Sequence, residues 1–150
     1  MFGPAVKQTQ LCGAEQVGGS YISGDGLTLL YNTAIDGNGE GTLLVAKRST
    51  RLDLFGVGSS LGFSGMNGYG VLSRDQLTIY FETTMGPSIQ LRSATRASPA
   101  AAFGAPQMIT ELDTAGGNVD VSVSADEADA IFSSDRMGDM DLYRASRPCL

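Results

Sequence analysis

The sequence has no histidine, no tryptophan and only two cysteines in 150 residues. Without histidine there is no Ser-His-Asp or Cys-His arrangement, and the commonest general base is missing. The two thiols, Cys12 and Cys149, lie far apart in sequence, and with no histidine beside them they supply no transition-metal ligand set. Long apolar runs are also missing, so no segment reads as a membrane-spanning helix. No basic cluster is longer than Lys47-Arg48 and the net charge is −6. Nucleic acid is therefore not an expected partner, because phosphate binding needs clustered Lys and Arg. No Gly-rich loop with a Lys joins a strand to a helix, so no phosphate cradle is read. No charged-then-apolar leader stands at Met1.

What the chain does have is a stretch used three times. Its clearest copy is Ser23-Gly24-Asp25-Gly26-Leu27-Thr28-Leu29-Leu30-Tyr31, and the others run from Ser73 to Phe81 and from Ser124 to Phe132. Asp25, Asp75 and Asp126 are 50 and 51 residues apart. Two further anchors keep the same order. One is Ala46-Lys47-Arg48, Ala94-Thr95-Arg96 and Ala145-Ser146-Arg147; the other is Phe2-Gly3, Phe55-Gly56 and Phe103-Gly104. The repeats divide the chain, as a single region over 1–150, into segments of about 2–54, 55–102 and 103–150. Periods of roughly 40 to 50 residues with several strands each are the mark of propeller blades.

Each period supplies the strands. In the Ser-x-Asp-(Gly) turn the Asp side chain bonds nearby backbone amides and Gly tolerates positive φ. An apolar, β-branched strand follows, Leu27 to Thr33 in the first copy, and a short strand precedes each turn: Ser20 to Ser23, Gly70 to Ser73 and Val119 to Ser124. A second apolar strand runs from Thr42 into Arg48, and the residues after each Phe-Gly make a fourth. The expectation is an all-β chain of three four-stranded antiparallel blades.

On these residues the chain resembles the TolB-like β-propellers, with WD40-like repeats. The matching pattern is Phe-Gly-x-Pro, then a Ser-x-Asp-Gly turn, then a Tyr/Phe-Phe-Ser-Ser strand, then Asp-Leu-Tyr-x-Ala-x-Arg. The third copy carries Ile131-Phe132-Ser133-Ser134 and Asp141-Leu142-Tyr143-Arg144-Ala145-Ser146-Arg147. Gln76 and Glu127 stand where the turn Gly belongs, and Gly58 replaces the proline of the second copy. The resemblance implies part of a six-bladed ring, a periplasmic or secreted setting, and a non-catalytic module presenting a rigid surface to a protein partner, with no cofactor.

Three blades cannot close a ring, since propellers use four to eight. Either two chains join head to tail into a homodimeric ring, or the chain is a piece of a longer propeller. A remnant without a stable fold of its own is a third reading. Phe2 to Leu11 reads as an outer strand whose blade lies in another segment. A Cys12–Cys149 disulfide is not expected, because antiparallel pairing of the two ends would set Cys149 near Phe2.

Asp36, Asn38 and Glu40 match the first half of a calcium loop, but the ninth and twelfth positions are Leu44 and Lys47 where ligands belong. A solvated Gly-rich hairpin is the reading kept. Asp25, Asp75 and Asp126 are structural turn residues by position. Arg48, Arg96 and Arg147 recur at every blade, as scaffold residues do, and are expected to bond their own or a neighbouring blade. The alternative function is a carbohydrate-binding or glycosidase-related propeller fragment. The Ser-x-Asp turn resembles the Asp-box of sialidase propellers, but Asp25 and Gly26 are adjacent and no Trp follows.

Overall fold

The computed structural model describes residues 2–11, 17–33, 41–85, 88–112 and 116–147. Eleven strands make three antiparallel sheets. The first holds β1 (Val17–Ile22), β2 (Thr28–Thr33), β3 (Leu43–Lys47) and β4 (Ser59–Ser60) in that order. The second holds β5 (Met66–Leu72), β6 (Thr78–Met85), β7 (Ser88–Thr95) and β8 (Gln107–Met108). The third holds β9 (Asn118–Val123), β10 (Asp129–Ser134) and β11 (Asp141–Ser146), so four strands are met in two sheets and three in the last. The short strands after Phe55-Gly56 and Phe103-Gly104 pair with the sheet that precedes them, which sets the sheets out of phase with the sequence segments.

The repeated turn builds the first hairpin of each sheet. The hydroxyl of Ser23, Ser73 or Ser124 donates to Oδ1 of the Asp two residues on, at 2.5, 2.7 and 2.6 Å. That carboxylate accepts the amide of Leu27, Leu77 or Ala128. The same serine oxygen accepts the amide of Thr28, Thr78 or Asp129 at 2.9 Å. Gly26, Gln76 and Glu127 all carry positive φ, at 74°, 61° and 57°. The two non-glycine residues thus keep the left-handed geometry that glycine adopts freely.

Strand alternation then sends neighbouring side chains to opposite faces. Leu30 faces the second sheet and Tyr31 the other way; Phe81 faces the first sheet and Tyr80 the third. One core lies between the first and second sheets, built from Leu30, Leu43, Leu72, Ile79, Phe81 and Ala94. There Phe63 stacks on Phe81 with ring centroids 4.6 Å apart. A second core between the second and third sheets includes Tyr80, Leu91, Leu112, Val121 and Phe132. Fully burying a side chain such as Phe81 contributes about 1.5–3 kcal/mol.

One strand expectation changes. Phe2 to Leu11 is not a strand, and Phe2 is fully exposed. A strand needs a ladder partner, and no edge among the described residues pairs with this segment. Cys12, Cys149 and the loop bearing Asp36, Asn38 and Glu40 lie outside the described residues.

Candidate functional site

The three sequence anchors meet in space. Arg48 donates from Nε to the Gly26 carbonyl at 2.8 Å and lies 4.5 Å over the Phe55 ring. Arg96 repeats this, bonding the Gln76 carbonyl at 2.8 Å and lying 4.3 Å over Phe103. The amides of Gly56 and Gly104 donate to the Lys47 and Thr95 carbonyls, just before each arginine, at 2.9 and 2.8 Å. Turn, arginine and Phe-Gly therefore form one clasp that ties the outer strand to the first hairpin. The arginines bond the turn backbone and not the turn carboxylate. Guanidinium geometry explains this, because one planar group can stack on a ring and still donate along its edge.

Arg147 stands differently. Its Nη2 donates to the Tyr80 hydroxyl of the second sheet at 3.2 Å, and Tyr80 donates in turn to Glu127 Oε2 through a short bond. Burial pushes the Tyr80 hydroxyl above its ordinary value, helped by the bond to Glu127. These three residues border a cavity of about 280 Å³ between the second and third sheets. The rest of its lining is largely apolar and includes Ile109, Leu112, Val121 and Ala145.

The turn carboxylates are occupied by the turns. Asp25 and Asp126 are held below the ordinary aspartate value, first by their serine hydroxyls, and Asp75 first by the Leu77 amide. The residues replacing the turn glycine reach the preceding blade. Gln76 donates to Asp25 Oδ2 at 2.8 Å and accepts from the Thr28 hydroxyl at 3.1 Å, while Glu127 meets Tyr80. What reads in sequence as a worn motif is a contact between blades.

A second cluster lies at the inner strands, where β1, β5 and β9 each bulge within one residue of the same place in the repeat. Glu82 accepts the Tyr69 amide at 3.0 Å from its own sheet and the Asp120 amide at 3.2 Å from the next. Sequence reading missed Glu82, Tyr80 and the bulges. Only the Gly pairs Gly18-Gly19 and Gly116-Gly117, with Gly68 and Gly70, hinted at irregular inner strands. Among the described residues no group of three or more Asp, Glu or Cys side chains is placed to hold a metal ion.

A fold of three twisted antiparallel sheets packed face to face around repeated turns is that of a β-propeller segment. Solved structures bear this out. A TolB from Acinetobacter baumannii matches with a TM-score of 0.67 and 17% identity, over 91% of this chain and 31% of that one. A putative TolB from Agrobacterium tumefaciens matches with a TM-score of 0.62 and 17% identity, over 85% of this chain and 42% of that one. The chain has a TolB-like β-propeller fold and spans well under half the length of these structures. No protein-family profile matches the sequence, and no curated protein matches it.

Proposed function

We propose that the chain is a non-catalytic propeller module that presents a rigid surface to a protein partner in the bacterial cell envelope, in the periplasm. The observation that carries this reading is the likeness to two TolB structures over nearly the whole chain. The fixed turns add support: they set Arg74, Asp75, Ala125 and Asp126 around one shallow concavity at the rim, each turn pinned by its own serine and carboxylate. A rigid rim loses little conformational entropy on binding.

A glycosidase-type reading gains little from the Tyr80–Glu127–Arg147 cluster. A tyrosine nucleophile needs its hydroxyl activated, and here burial and the Glu127 bond hold the proton on. In-cell cross-linking followed by purification from envelope fractions tests the proposal. The expected outcome is one envelope protein captured by the native chain and lost with Arg74→Glu/Ala125→Arg. Cleavage of a glycoside panel, or recovery of the chain only from the cytoplasm, would sink it.

A further inference from the structure

We propose that residues 2–11 of one copy complete the third sheet of a second copy, the Phe2 ring entering the cavity beside Arg147, so that two copies close head to tail into one six-bladed ring. The receptor is defined by what the first two sheets already hold. There a phenylalanine ring sits on Ala46 or Ala94 and under Arg48 or Arg96, and the next glycine amide bonds the carbonyl before the arginine. Two residues then pair with the outer edge: Ser59 with Val45 and Ser60 with Leu44, or Gln107 with Ser93 and Met108 with Arg92.

In the third sheet Ala145 and Arg147 occupy the same repeat positions, but beside them lies the largely apolar cavity, and among the described residues no phenylalanine lines it. Among the described residues nothing pairs with the outer edge of β11, and Leu142 is 76% exposed.

The ligand is equally defined. Phe2-Gly3-Pro4 carries the anchor residues of Phe103-Gly104-Ala105-Pro106, and Leu11 follows Phe2 by nine residues as Leu112 follows Phe103. Both segments close with the same turn: the Leu11 amide bonds the Gln8 carbonyl at 3.0 Å, and the Leu112 amide bonds the Ile109 carbonyl at 2.9 Å. Leu112 packs with Phe132 of the following sheet, and Leu11 packs on Tyr31, the residue at the matching position of the first sheet. Leu11 and Gln8 thus already sit against the first sheet where the end of a preceding blade's outer segment would lie, while Phe2 and Val6 stay exposed. That preceding blade has three strands to offer in β9, β10 and β11 of another copy. A second copy is the occupant because this chain carries both halves of the contact, the unpaired edge of β11 and the matching segment 2–11, and two sets of three blades make six, within the range of known rings. A half-turn relates the two copies, so the contact is reciprocal: segment 2–11 of each meets the third sheet of the other.

Repeat register sets Val6 opposite Arg144. Light scattering of the full chain should give twice 15.6 kDa. Phe2→Ala and Arg147→Ala should each weaken the dimer by about tenfold or more. A Val6→Cys/Arg144→Cys chain on a Cys12→Ser/Cys149→Ser background should form a covalent dimer on a non-reducing gel. A folded monomer at every concentration, a disulfide closed within one chain, or a dimer indifferent to Phe2→Ala and without the cross-link would overturn the proposal.

Discussion

Glu82 is where burial and charge oppose each other. Burial raises its pKa above the ordinary 4.5, more than the bonds from the Tyr69 and Asp120 amides lower it. A carboxyl with a raised folded-state pKa binds more protons folded than unfolded, so its contribution is greatest below the unfolded value and declines as pH rises through the folded one. The turn residues Asp25, Asp75 and Asp126 have the opposite sign. Their pKa values are lowered, so their contribution is present above about pH 3.8 and lost as pH falls through the folded values. From neutral pH down to the ordinary 4.5 the turn aspartates stay ionised while Glu82 takes up its proton. The urea midpoint, followed by circular dichroism, should rise as pH falls across that window, and Glu82→Gln should flatten the rise. An unchanged slope in the variant would refute the assignment.

At the scale of the strand, the inner edge of each sheet is shaped by a bulge and by close packing on the next sheet. Bulges strengthen local twist and let adjacent blades fan around an axis. β5 shows how tight this is. A Cβ at Gly70 would lie 3.1 Å from Leu43 Cδ2 and 3.3 Å from Phe81 Cβ, so the residue is small because two sheets meet there. Gly70→Ala should destabilise the chain by about 1–3 kcal/mol, the usual range for overpacking a well-filled core. Urea denaturation reads this directly, and an unchanged midpoint would show that the interface between the first two sheets yields. The outer strands rely less on packing than on the arginine clasp, since β4 and β8 are two residues each.

For the whole molecule, the second sheet is covered on both faces and the others on one. Ile79 and Phe81 are wholly buried there, while β1 and β11 are mostly exposed. Hydrogen exchange should therefore be slowest in β6 and β7 and fastest in β1 and β11 of the isolated chain, because exchange follows the cost of local opening. Uniform protection across all three sheets would mean that the edge sheets are covered too. The acidic surface, with its net charge of −6, adds a self-repulsion that salt should relieve.

The sequence by itself determined the turns, the strand order and the three-fold period. Those features are local: a serine and a carboxylate two residues apart close a turn whatever lies beyond it, and alternation sends Leu30 and Tyr31 to opposite faces. It also marked Arg48, Arg96 and Arg147 as equivalent, but not what they hold. Only the tertiary structure decided that two of them stack on phenylalanines and the third on neither, because those partners come from another hairpin or another sheet. The same reason hides Glu82, whose two amide donors lie 13 and 38 residues away. Phe2 to Leu11 was legible as an outer strand by its residues and is not one in the single chain, since pairing needs an edge and the sequence of a segment does not say which edge it meets.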